Sequence, residues 1–234
     1  MKKIIIYIAV VFTLFLTDVK AETTAYIPEN PTHALIVIHG FGGNSHSMSW
    51  MTKTLKKEIP DMAFYYPTAP DRAPVGGYQW FVIPTLGEEI KEKALYDKMM
   101  KDAMQNVNDL HKLVEEIHDN LHISYQNIYV AGFSQGGLMA LLTALTNPHQ
   151  LPVAISFSGV PLLFTPDFMI EKVKSKPDIL LMQGDNDNVI PKDSIEMTSQ
   201  TLKILNITPK IRILPNLNHH INQESIRNMI DFIK

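Results

Sequence analysis

One serine in this chain sits in surroundings that specify a reaction. Gly132-Phe133-Ser134-Gln135-Gly136 follows an apolar stretch, Ile128-Tyr129-Val130-Ala131, and opens an apolar helical run over residues 138–145. G-x-S-x-G between a strand and a helix is the nucleophile-elbow pattern, which presents a serine hydroxyl for acyl transfer. Such a serine occupies a sharp, strained turn. Its flanking glycines, lacking Cβ, let strand and helix approach closely. Five residues can arise by chance, so the pattern needs partners.

A serine hydroxyl is a weak nucleophile at neutral pH. It needs a histidine to take its proton and an acid to hold that histidine in the right tautomer. With an elbow of this kind the chain order is Ser, then Asp or Glu, then His. The acid falls in Leu181-Met182-Gln183-Gly184-Asp185-Asn186-Asp187-Asn188-Val189-Ile190-Pro191, where two aspartates compete. Asp187 is the choice, because G-x-x-D-x-x-[IV]-P places it beyond the strand-end turn, while Asp185 is expected to cap that turn. The segment also looks like the start of a calcium loop. That reading fails, because Val189 replaces an oxygen ligand and Ile190 stands where the loop needs glycine. The base falls in Leu217-Asn218-His219-His220-Ile221, with His219 favoured and His220 the alternative. His46, His111, His118 and His149 read as surface or loop residues, and His33 and His122 sit at strand approaches without a partner signal.

Charge that develops on the substrate carbonyl needs two backbone N–H donors. One is expected from Gln135, directly after the serine. The other is expected from Phe41 in the loop His39-Gly40-Phe41-Gly42-Gly43-Asn44. Phosphate binding by that loop is weakly supported, since it has neither the G-x-G-x-x-G spacing nor a Walker lysine.

Positioning these groups requires a sheet. Apolar runs at residues 34–38, 62–66, 127–131, 153–158, 179–182 and 210–214 read as strands. Several are continuous rather than alternating, as in strands buried on both faces of a parallel sheet. Helical periodicity covers 47–58, 93–121, 136–145, 194–205 and 223–233. In the longest, Tyr96, Met99, Ala103, Val107, Leu110, Val114, Ile117 and Leu121 form one apolar stripe. Its methionines read as core filler. This alternation predicts an α/β class, with a mainly parallel, doubly wound sheet flanked by helices in one domain. Each candidate catalytic residue then lies just after a strand, at the carboxyl edge where open α/β sheets build sites. Residues 67–84 hold Pro67, Pro70, Pro74, Gly76, Gly77 and Pro84 and are expected to form an irregular, functional loop.

The N-terminus reads differently. Lys2-Lys3, an apolar run over 4–16 and Val19-Lys20-Ala21 have the form of a secretory signal peptide. The run is shorter than the roughly 20 residues a spanning helix needs. Residues 1–21 are therefore expected to be a signal and 22–234 the catalytic domain, in a periplasmic or secreted protein. The chain has no cysteine, which excludes disulfides and a lipid anchor on cysteine. A net charge of −3 without a basic patch gives nucleic-acid binding no electrostatic support.

Taken together, the residues resemble the phospholipase/carboxylesterase family, which includes acyl-protein thioesterases and small bacterial carboxylesterases. The matching pieces are Val37-Ile38-His39-Gly40-Phe41-Gly42, Pro67-Thr68-Ala69-Pro70, Gln79-Trp80-Phe81, Gly132-Phe133-Ser134-Gln135-Gly136-Gly137, Gly184-Asp185-Asn186-Asp187 and Asn218-His219, in family order. The resemblance implies an α/β-hydrolase fold and a Ser134, Asp187, His219 triad. It also implies backbone donors at Phe41 and Gln135, and Trp80 near the acyl or leaving-group pocket. Asn218 departs from the family, which usually has glycine there. The export signal departs too, since such relatives are commonly intracellular.

The expected activity is a serine ester hydrolase of the carboxylesterase or lysophospholipase type (class EC 3.1.1). It would act on small or medium acyl esters, with thioesters and lysophospholipids in range, and needs no cofactor or metal. A peptidase of the same fold and a non-catalytic binding protein are the rivals. Met48, Trp50, Met51, Trp80 and Phe81 could form a lip for transient contact with a membrane surface, but pocket and helix packing is the preferred account. Acyl-chain length, alcohol and oligomeric state are not legible.

Overall fold

The computed structural model describes residues 22–83, 93–163 and 170–234. The segment read as a signal, residues 1–21, lies outside the described residues. Six strands run parallel in one sheet: β2 (His33–Ile38), β3 (Met62–Pro67), β6 (Ile128–Phe133), β7 (Val153–Phe157), β8 (Asp178–Gly184) and β9 (Lys210–Leu214). A seventh, β1 (Thr23–Tyr26), pairs antiparallel with β3 at one edge, and the order is β1-β3-β2-β6-β7-β8-β9. The mainly parallel sheet expected from the apolar runs is present.

The inner runs are buried on both faces, so successive side chains of one strand enter two different cores, while the edge strand β9 is mostly exposed. In β2, Ala34, Ile36 and Ile38 join one cluster with Val130, Leu138 and Val107. Leu35 and Val37 join the other, with Ala131, Ile155 and Ile226. The first face is covered by α2 (Lys93–Leu121) and α3 (Gln135–Thr146). The second is covered by α1 (Thr52–Glu58) and the last helix, α5 (Gln223–Ile233); α4 (Ser194–Ile204), before β9, instead packs Leu202 and Ile195 onto the first cluster. Every residue of α3 is buried, the polar Gln135, Thr143 and Thr146 included, and this mostly apolar helix packs on both the sheet and α2. In α2 the stripe Met99, Ala103, Val107, Leu110, Val114 and Ile117 is buried, with Met100 beside it. The methionines are packing, as expected.

Besides β1, which has no counterpart among the expected strands, two features depart from the sequence reading. The loop over 67–84 carries a small hairpin, β4 (Asp71–Arg72) with β5 (Tyr78–Gln79), whose turn holds Gly76 and Gly77 at positive φ. Two-residue strands are too short to leave a periodic signal. His111, read as a surface residue, is half-buried between helices, with its Nε2 3.1 Å from the Thr143 carbonyl. Among the described residues, no helix is long and apolar enough to cross a membrane.

Candidate active site

Five loops meet at the carboxyl edge of the sheet, following β2, β6, β7, β8 and β9. Ser134 leaves β6 with φ 55° and ψ −116°, a conformation that costs a non-glycine residue about 1–3 kcal/mol. Its backbone is held from both sides. The N–H of Ser134 donates to Phe157 O at 2.9 Å, and its carbonyl accepts from Gly137 and Val160 at 2.9 and 3.2 Å. The flanking glycines make this turn possible. A Cβ on Gly132 would stand 1.9 Å from Gly136 O, and one on Gly136 would stand 2.2 Å from Ile38 O. The strand-turn-helix geometry demanded by the motif is present, and its cause is steric.

His219, in the loop after β9, places Nδ1 2.8 Å from Oδ2 of Asp187, in the loop after β8. The other carboxylate oxygen of Asp187 accepts the N–H groups of Val189 and Ile190, each at 3.0 Å. Burial on its own would raise the Asp187 carboxyl. The hydrogen bonds from His219, Ile190, Val189 and Ser158 outweigh it and hold the group below the usual aspartate range. An ionised carboxylate only accepts, so Nδ1 of His219 must be the donor and Nε2 is left with its lone pair. The His219 ring leans on Phe133, with centroids 4.7 Å apart and 39° between planes. The x of G-x-S thus touches the histidine. Ser134 Oγ makes no hydrogen bond among the described residues.

The competing residues occupy different surroundings. Asp187 is 5 % exposed and meets a histidine, whereas Asp185 lies in the turn, its N–H on Leu214 O and its Oδ1 without a partner. His220 is exposed and contributes a backbone N–H to Asn218 O at 2.8 Å. Among the described residues, no group of three or more His, Cys, Asp and Glu could hold a metal ion.

Phe41 lies in the loop after β2, and its N–H takes part in no hydrogen bond among the described residues. Gln135 is the first residue of α3, so its N–H lies outside the helix ladder. Trp80 lies in the segment after β5 and is enclosed by the protein. It is 1 % exposed, stacks at a tilt on His39 with centroids 5.3 Å apart, and donates its indole N–H to His39 O at 2.9 Å. Of the residues weighed as a membrane lip, Met48, Met51, Trp80 and Phe81 are buried, and Trp50 is 47 % exposed.

Two contributors carried no reading in the sequence. Ser158, just after β7, has φ 45°, donates its N–H to Met182 O and sends its side chain to Asp187. It follows β7 as Ser134 follows β6, which was the available signal. His39 is fixed as a neutral imidazole: Nδ1–H donates to Gly40 O at 2.7 Å, and Nε2 accepts from the N–H of Ala69 at 2.9 Å. Burial pushes its pKa down to about 4, against a weaker opposing effect of the Gly40 carbonyl. His39 is a brace and not a base.

The phospholipase/carboxylesterase family model matches residues 22–234, and the chain belongs to that family. It is 25 % identical over 209 residues to acyl-protein thioesterase 1 of Eremothecium gossypii, covering 86 % of this chain and 87 % of the relative. It is 24 % identical over 233 residues to a probable carboxylesterase SOBER1-like of Arabidopsis thaliana, covering 95 % and 86 %. In fold it is similar to the crystal structure of esterase PE8, with a TM-score of 0.74, 23 % identity, and 89 % and 95 % of the two chains covered. It is likewise similar to Arabidopsis thaliana SOBER1, with a TM-score of 0.73, 20 % identity, and 86 % and 97 % covered. The fold is that of the α/β-hydrolases, in a single domain, and the family is one of esterases and thioesterases.

Proposed function

We propose that this family member hydrolyses carboxylic esters of small or medium acyl groups through an acyl-enzyme on Ser134, with thioesters and lysophospholipids in the same substrate class. The observation that carries the reading is the His219–Asp187 pair, at 2.8 Å, beside a serine on a strained elbow. Ser134 Oγ attacks the acyl carbon while Nε2 of His219 takes its proton. The tetrahedral oxyanion rests on the N–H groups of Phe41 and Gln135. Collapse breaks the bond to the alcohol or thiol, which leaves with the proton from His219. Water then attacks the acyl-enzyme, giving its proton to His219, and the acid departs as Ser134 recovers its own. Asp187 keeps His219 in the accepting tautomer and stabilises its charge.

Support for thioesters comes from relatives named acyl-protein thioesterase, and support for oxygen esters from the carboxylesterase relative. Trp80, buried under the loop, is read as a support for that loop and bounds the acyl site only indirectly. Residues 1–21 are read as an export signal, which directs the enzyme to esters outside the cytoplasm. A series of p-nitrophenyl esters of rising acyl length, set beside palmitoyl thioester, lysophosphatidylcholine and a peptide p-nitroanilide, tests this. Turnover of esters with the anilide untouched is expected. Selective anilide cleavage would overturn the assignment.

A further inference from the structure

The two expected oxyanion donors come from loops 94 positions apart in sequence order, Phe41 and Gln135, yet a single short segment touches both. Tyr78 pairs with the loop after β2 just beyond Phe41: its carbonyl accepts from Gly42 N–H, and its own N–H donates to Gly43 O, each at 2.9 Å. Two residues on, the Trp80 indole holds His39 O, just before Phe41, at 2.9 Å. The Phe41 peptide is therefore pinned on both sides by residues 78–80. The same segment grips Gln135. Its side chain is fully buried, with Oε1 accepting from Trp80 N–H at 3.1 Å and Nε2 donating to Phe81 O at 2.8 Å. Trp80 O is in turn fixed by Asn106 Nδ2 of α2 at 2.6 Å.

Resting on the reading of the site as an acyl-transfer centre, we infer that the Gln135 side chain is a positioning group. Its carboxamide, through the Tyr78–Phe81 strap, sets the spacing between the Phe41 and Gln135 backbone donors. The residue type follows from the geometry. The bend at Trp80–Phe81 offers one N–H and, at the next residue, one C=O, and a carboxamide carries the complementary acceptor and donor in one plane. A thioether or hydrocarbon of equal length would leave both buried backbone groups unpaired. A donor that moves by a fraction of an ångström stabilises the oxyanion less, while ground-state binding of the acyl group is little affected.

The test uses the full mature chain with Gln135→Met and Trp80→Phe, singly and together. The second variant keeps an aromatic ring, though a smaller one, and removes the indole bond to His39 O, so it remains informative if Gln135→Met folds poorly. In each folded variant kcat is expected to fall by about 10- to 100-fold, below the effect of deleting a donor outright. KM should stay within about twofold, and affinity for a trifluoromethyl ketone transition-state analogue should fall by the same factor as kcat/KM. The double variant should lose less than the product of the single losses, since both act on one strap. Folded variants with unchanged kcat and analogue affinity, beside an active wild type, would overturn the positioning role alone. A wild type without Ser134-dependent turnover would instead overturn the reading of the site on which it rests.

Discussion

Asp187 divides its carboxylate between two tasks: Oδ2 lies 2.8 Å from Nδ1 of His219, while Oδ1 accepts the N–H groups of Val189 and Ile190. The backbone bonds fix the acid, and the acid fixes the imidazole. Asp187→Asn keeps the shape but can donate to Nδ1, which favours the wrong tautomer. kcat on a short ester is expected to fall by about three to four orders of magnitude with KM little changed. Steady-state kinetics on folded protein checks this, and a loss under tenfold would remove Asp187 from the triad.

The adjacent histidines should separate cleanly. His219→Ala removes the proposed base and is expected to lower kcat by about four orders of magnitude or more. His220 is exposed, and its backbone N–H bond to Asn218 survives truncation, so His220→Ala should stay within about twofold. The reverse pattern would reassign the base.

His39 gives the fold a pH dependence of its own. Its ordinary value of 6.5 in the unfolded chain falls to about 4 in the folded one. Below pH 6.5 the unfolded chain binds a proton that the folded chain refuses, so stability declines from pH 6.5 toward 4. The full loss is about 3 kcal/mol, levelling off below the folded value. Asp187, held below the ordinary 3.8, acts in a lower window: its contribution is present above that value and lost as pH falls beneath it. Urea midpoints at half-unit steps should therefore drop between pH 6.5 and 4 in wild type. In His39→Gln, the protein should be less stable at pH 7 but show a shallower slope. An unchanged slope would mean that His39 is not the titrating group.

Gly136→Ala tests the elbow as a steric object. The new Cβ would stand 2.2 Å from the Ile38 carbonyl, on a backbone fixed by the central strand. Strand β2 and helix α3 must then separate, which displaces both proposed oxyanion donors, Phe41 and Gln135, at once. Loss of activity of at least about a hundredfold is expected, with a lower thermal midpoint. Near-normal kinetics would show that the contact yields easily.

Much of this was legible in the sequence where physics is local. Residues 93–121 and 223–233 read as helices with the observed bounds, because their apolar spacing is regular. In the second, the Asn222–Ser225 capping box adds a start signal. The continuous apolar runs gave the parallel strands within a residue or two. β1 was missed because Thr23–Tyr26, although it holds strand-favouring Thr and Tyr, is only four residues long, half-buried and at an edge, so no apolar run or alternation marks it. The Gly-rich loop could be seen, but not what holds it. His39 is defined by Ala69 and Trp80, 30 and 41 positions away. Gln135 announced itself through its backbone N–H, while its side chain meets Trp80 and Phe81 across the site. Such long-range polar pairs leave no period in a sequence.

The central claim is that Ser134 carries the acyl group. The most direct measurement treats wild type and Ser134→Ala with a fluorophosphonate, maps the adduct by peptide mass, and follows p-nitrophenyl ester hydrolysis in parallel. The account predicts one adduct, on the peptide containing Ser134, with both adduct and turnover lost in the folded alanine variant. Labelling and full turnover retained in Ser134→Ala would contradict it.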